Sequence, residues 1–221
     1  MPEKQISSPA GTSLSSAWRK RAAACADTLA AGFSTEPLYT FMCPDKRRRR
    51  DAGSFRALLW ALGRSYDMVD FCEEADGTVS SVALWEPGTP TTLGGLRSSV
   101  GILPQFWWSK GNLLAWTKLQ LALEARREHL GKDAHHLLWI ATRPELHGQG
   151  RAAAVLRRGL ARADAAGARC YLECTSLASK PFYEKYGFRT VEEFQVQGGK
   201  GPTLYLMIRP AAASASTAPA A

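Results

Sequence analysis

The chain has 221 residues, enough for one domain with flanking tails, and 45% of them are hydrophobic, enough for a core. Its formal charge of +8 and pI near 9.4 suit either a nucleic-acid partner or an enzyme that holds a polyanionic cofactor. No uncharged apolar run reaches the roughly 18 residues of a membrane span, and the segment Met1–Pro9 lacks the apolar region of a secretory signal.

In chain order, residues 1–15 are rich in Ser, Pro, Gly and Thr and read as a disordered segment ahead of a domain over 16–209. A first helix is expected from Ser16 to Ala31, stopped by Gly32, with Ala22, Cys25, Leu29 and Phe33 at helical spacing. A second is expected from about Asp45 to Arg64, opening on Lys46-Arg47-Arg48-Arg49-Arg50. That basic run reads as a solvated helix face; a nuclear-localisation patch and a phosphate contact are its alternatives. Met68–Glu73 and Val79–Trp85 read as a hairpin around Asp76-Gly77. A helix is expected from Gly111 to Leu130, a strand over 136–142, a helix to Ala166 and a strand over 169–174. A short helix then ends at Gly187, and 188–196 with 204–209 form a closing antiparallel pair. Residues 210–221 read as a disordered tail. This order makes an α/β (α+β) domain with one mixed central sheet flanked by helices. The five cysteines show no CxxC or zinc spacing, so they read as reduced thiols in a cytoplasmic protein.

The informative stretch begins at His136. An apolar strand, Leu137 to Ala141, runs through the turn Arg143–Leu146 into His147-Gly148-Gln149-Gly150, and a helix opens at Arg151. A helix N-terminus leaves amide N–H groups without intrahelical partners and carries about half a positive charge. Glycines in front of it let an anion approach those amides. The segment therefore reads as a diphosphate cradle for a nucleotide-like cofactor.

Two motifs in order resemble the GNAT superfamily of acyl-CoA-dependent N-acetyltransferases. The pyrophosphate signature of that family stands here as His147-Gly148-Gln149-Gly150-Arg151-Ala152, with His147 in place of Gln or Arg. The second is Phe182-Tyr183-Glu184-Lys185-Tyr186-Gly187-Phe188. Ser81–Pro87 and Tyr171–Ser176 are further similar to the puromycin-acetyltransferase group. The resemblance implies a mostly antiparallel sheet splayed between its fourth and fifth strands, here 136–142 and 169–174. That count includes an edge strand ahead of the first helix, for which only Lys4–Ser8 is available.

It also implies acetyl transfer from acetyl-CoA to a small-molecule primary amine by direct attack, without a metal. The amides from Gly148 through Ala152 to Ala153 would take the diphosphate, with Arg151 within reach of a phosphate, and the free edge of Ile140-Ala141-Thr142 would pair with the pantetheine arm. Tyr183 would protonate the leaving thiolate. Glu173, on an otherwise apolar strand, would be the base, with a pKa raised by burial. His135 and His136 begin a strand and read as solvent-facing; Arg157 and Arg158 read as a solvated face. Trp85, Trp107, Trp108 and Trp116 are candidates for walls of the acceptor pocket. Competing readings are a non-catalytic acyl-CoA-binding module, a peptide or protein acetyltransferase, and a nucleic-acid binder. No nucleic-acid signature supports the last, and no nucleic-acid or membrane partner is expected.

Overall fold

A computed structural model describes residues 16–53, 55–56, 59, 69–86, 88 and 113–212. The terminal segments, the proposed edge strand, most of 60–112 with Trp107 and Trp108, and the last residues of the tail lie outside the described residues. Helix α1 spans Ser16–Phe33, α2 Pro37–Met42, α3 Lys46–Arg49, α4 Leu113–Leu130, α5 Arg151–Ala165 and α6 Lys180–Glu184. The strands are β1 Val69–Glu73, β2 Val79–Glu86, β3 His135–Thr142, β4 Cys170–Cys174, β5 Arg189–Gln195 and β6 Thr203–Arg209.

The six strands form one sheet in the order β1-β2-β3-β4-β6-β5. Every neighbouring pair is antiparallel except β3 and β4. Two cores cover its faces. On one side α1, α2 and α4 pack Leu29, Tyr39, Met42 and Trp116 against Val82, Leu84, Ala141 and Tyr171. On the other, Val155, Leu156, Leu160 and Ala163 of α5 meet Trp85, Leu137, Leu172 and Met207. Helix α5 is further fixed to β1 by Arg162, whose guanidinium donates twice to the Asp70 carboxylate.

Two expectations about elements change, and two about side chains. Helix α1 does not stop at Gly32 but runs through it to Phe33. A Cβ at Gly32 would sit 2.8 Å from the Ala141 Cβ, so the glycine allows α1 to lie against β3. The helix expected from Asp45 is capped by Asp45, whose Oδ1 accepts from the Arg47 amide, but breaks after Arg49. Arg49 is no solvated side chain: it donates to the carbonyls of Ser34, Cys43 and Pro44. Arg158 likewise donates to the Phe71 carbonyl instead of facing solvent.

Candidate active site

Strands β3 and β4 are registered at only two rungs, His135 with Cys170 and His136 with Tyr171. Beyond them the strands part, and the edge of β3 from Leu137 onward is unpaired on that side. The expected splay is therefore here, between the third and fourth of the described strands. Strand β3 also carries a bulge: Leu84 faces Trp139 and Trp85 faces Leu137, leaving Leu138 as the extra residue. Simple alternation would put residue 138 on the face of residue 136. Leu138 does stay on the α1–α4 face that His136 shares with Tyr171, but the bulge brings Trp139 and then Ala141 to that same face, while Leu137 and Ile140 face α5.

One cavity of about 890 Å³ runs through the splay and is lined from both faces of the sheet. Every residue predicted for a catalytic or cofactor-binding role lines it except Gln149, which is exposed. At its cofactor end Gly148 and Gly150 both hold φ of 77°, the left-handed region that favours glycine. A Cβ at either would meet nothing within 4 Å, so open space lies in front of this backbone. The first helical bond of α5 runs from the Ala154 amide to the Gly150 carbonyl, and no side chain caps Gly150. The amides of Arg151, Ala152 and Ala153 are thus left for a ligand. His147 uses one ring nitrogen inside the turn: its Nε2 bonds the Thr142 carbonyl at 3.1 Å and ties the turn to β3. Arg151 is held by Glu74 of the β1–β2 turn at 2.9 Å. The fit to an extended acyl-CoA is carried by backbone: an open cradle of amides at one end and a free strand edge leading from it.

The chemistry-bearing side chains approach the splay from opposite faces. Tyr183, on α6, belongs to the α5-side core, packed edge-on against Phe182 and Phe188. Burial holds its phenol above its ordinary pKa, so it keeps its proton and stays a donor. Glu173 lies on the α1–α4 face with Tyr171, since alternate residues of β4 share a side. Its Oε2 accepts from His136 Nε2 at 2.7 Å.

Two expectations fail at this pair. His136 is not solvent-facing; it is buried at 5% exposure, because β3 lies inside the sheet under α4. Glu173 does not have a raised pKa. Burial alone would raise it, but the charge and hydrogen bond of His136, with the Tyr171 hydroxyl and Arg127, outweigh burial and hold it low. For His136 burial acts downward, and Glu173 and Glu86 overcome it and push the imidazole up to about 9.

The sequence reading passed over Glu36. It caps α2, its Oε2 accepting from the Tyr39 amide at 2.8 Å, while Oε1 is buried with no partner. Burial raises its pKa, and the nearby Thr175 side chain and the amides of Tyr39 and Leu38 offset that only in part. The only local signal was Glu36-Pro37, a capping carboxylate before a proline suited to a helix start. The acceptor wall is also different from the one expected. Trp85 packs against α5, where a Cβ on Gly159 would come within 2.1 Å of its ring. Trp116 does line the cavity, joined by Phe33, Tyr39 and Trp139. These rings pack tilted or edge-to-face, Phe33 with Trp139 at 4.9 Å and Tyr39 with Trp116 at 5.9 Å between centroids.

Residues 115–190 match the family model described as an acetyltransferase (GNAT) domain. Among solved structures the chain is similar to a Corynebacterium glutamicum protein described as histone acetyltransferase HPA2 and related acetyltransferase. They share 20% identity at a TM-score of 0.57, covering 91% of this chain and 95% of that one. It is also similar to arylalkylamine N-acetyltransferase 2 from Aedes aegypti, with 16% identity, TM-score 0.59 and coverage of 89% and 95%. A polyamine N-acetyltransferase from Drosophila melanogaster gives 11%, 0.60, and 86% and 95%. At these identities the structural likeness speaks for the fold, and the match at 115–190 spans the cradle and the Phe182–Phe188 motif. The splayed sheet, the glycine cradle and that signature therefore coincide with the segment that matches the acetyltransferase (GNAT) domain model, and the fold around them is the one these N-acetyltransferases share.

Proposed function

We propose that the protein transfers an acetyl group from acetyl-CoA to the primary amine of a small molecule by direct attack. The observation that carries this reading is a single cavity that joins the open cradle at Gly148 and Gly150 to a wall of aromatic rings and buried carboxylates. When bound, acetyl-CoA supplies an activated acyl group as a thioester. Gly148 and the amides of Arg151 to Ala153 would hold its diphosphate, and the free edge of Ile140–Thr142 its amide arm.

Phe33, Tyr39, Trp116 and Trp139 favour a flat or bulky apolar acceptor body. The Ser81–Pro87 and Tyr171–Ser176 segments similar to puromycin-type acetyltransferases support the same class. Two structural relatives, an arylalkylamine and a polyamine N-acetyltransferase, are compatible with it. The net positive charge disfavours strongly basic peptide tails.

An alkylammonium must lose a proton before it can attack. Glu36 is the base in this reading: its unpartnered Oε1 can accept that proton, and its raised pKa lets the carboxyl hold it. Glu173, the base suggested by sequence, also lines the cavity, but one oxygen is committed to His136 and its pKa is held down. Tyr183 donates its proton to, or hydrogen-bonds, the departing thiolate.

The test is calorimetry with acetyl-CoA followed by thiol release across a panel of aryl and alkyl amines. Micromolar binding and release with a bulky primary amine are expected. Binding without release for any amine would leave an acyl-CoA-binding module, and no binding at millimolar acetyl-CoA would overturn the reading.

A further inference from the structure

The last backbone rung between β3 and β4 joins His136 to Tyr171. The next connection across the gap is made by side chains, from His136 Nε2 to Glu173 Oε2 at 2.7 Å. Behind it the contacts continue. Glu86, paired with His136 across β2, places Oε2 3.7 Å from His136 Nδ1, within ion-pair range but beyond a hydrogen bond. The same oxygen accepts from Arg127 Nη1 of α4 at 3.0 Å. Charges therefore alternate from α4 across three strands and sum to zero when the imidazole is protonated. A neutral imidazole would leave one uncompensated carboxylate in a site where the four side chains are 7–14% exposed.

We propose that the His136–Glu173 pair is a clasp that replaces the missing third rung and fixes how far β3 and β4 part, with Glu86 and Arg127 neutralising it from behind. His136 is then a positioning residue: it sets the width of the slot for the acyl-CoA arm without touching the reacting atoms. The inference rests on the acyl-transfer reading for its ligand, but the clasp itself is a property of the free protein.

The groups facing His136 are Glu173 and Tyr171 from β4, Glu86 from β2 and Arg127 from α4, the last also 3.7 Å from Glu124. The imidazole, pushed up to about 9, keeps the clasp closed at neutral pH and opens it as pH rises through that value. Acetyl-CoA itself has no group that titrates between pH 8 and about 10, so its affinity reports on the protein.

The experiment measures acetyl-CoA binding from pH 7 to 10 for wild type, His136→Gln and Glu173→Gln, with amide exchange along β3 in the free proteins. Wild-type affinity should fall at least fivefold with a midpoint near 9. Both variants should bind at least fivefold more weakly at pH 7.5, show no such midpoint, and exchange the Leu137–Trp139 amides faster while remaining folded by thermal unfolding. Wild-type-like affinity and pH slope in both variants would overturn the clasp. If wild type binds no acetyl-CoA, the acyl-transfer reading falls. The clasp is then decided by exchange alone: faster in the variants if it holds the strands, unchanged if it does not.

Discussion

The two ends of the cavity are built by different means. At the cofactor end, consecutive residues from Ile140 to Ala153 supply a strand edge, a glycine turn and a helix N-terminus. In the proposed reading their part is played by main-chain atoms, so many side chains can stand there without changing the chemistry. At the acceptor end the wall is assembled from Phe33, Glu36 and Tyr39 near the start of the chain, Trp116 on α4, Trp139 on β3 and Glu173 on β4. Here, in the same reading, the side chains themselves would act. A backbone-built site tolerates divergence, whereas a side-chain-built site gives selectivity.

The largest test of that contrast is Glu36→Gln. Loss of the base should lower kcat by roughly a hundredfold, the lower range for general acid–base catalysis. Acetyl-CoA affinity should stay unchanged, because the cradle has no part in it. The pH dependence has opposite signs for rate and stability. As base, Glu36 must be ionised, so kcat rises as pH climbs through its raised pKa. A raised folded pKa means the folded chain prefers the protonated form, so its contribution to stability is lost over that same climb. Glu36→Gln should therefore melt slightly higher than wild type at pH 7, with a Gln oxygen still able to accept from the Tyr39 amide. A Glu173→Gln enzyme that lost the acidic limb of the rate profile, beside a Glu36→Gln enzyme that kept it, would return the base role to β4.

Tyr183→Phe should cost about tenfold in kcat, near 1.4 kcal/mol, with unchanged acetyl-CoA affinity. Full turnover in that variant would leave Tyr183 as a packed ring and nothing more. Gly150→Ala addresses the cofactor end. Forcing a left-handed alanine costs about 1–2 kcal/mol of stability. Its methyl enters open space in the free protein but stands where the diphosphate would lie. Acetyl-CoA affinity should fall five- to tenfold, while kcat at saturation changes little.

The same contrast explains what was legible in the sequence. Gly148, Gly150 and Gly187 stand at positive φ, and their spacing relative to apolar runs is a local signal, so the β3–α5 unit and the α6 motif could be read directly. The pairing of His136 with Glu173 could not, because it joins residues 37 positions apart and depends on strand order. The bulge at Leu138 inverts the alternation from which side chains would be assigned to faces. Gly32 misled for a related reason: a glycine required for close packing of α1 on β3 looks, in sequence, like one that ends a helix. Glu36 was hidden because a capping carboxylate is an ordinary residue until its second oxygen is found buried.

The smallest kinetic effects should come from exchanging the two buried tryptophans, and they separate the faces of the sheet most cleanly. Trp85 and Trp116 are both nearly inaccessible, at 3% and 8% exposure, and each has an indole N–H without a partner. Only Trp116 lines the cavity, whereas the Trp85 ring fills the space above Gly159 on the far side. Trp116→Phe should raise KM for a bulky amine about three- to fivefold, within the range expected for modest changes to an apolar pocket, and leave acetyl-CoA affinity alone. Trp85→Phe opens a void between α5 and β2, so it should lower the melting temperature, a loss of about 1–3 kcal/mol, with KM for the amine unchanged. Steady-state kinetics and thermal unfolding on both variants check this crossing of effects. Equal shifts in KM from the two would mean that the acceptor reaches past the sheet toward α5, and the division of the cavity into a backbone end and a side-chain end would have to be redrawn.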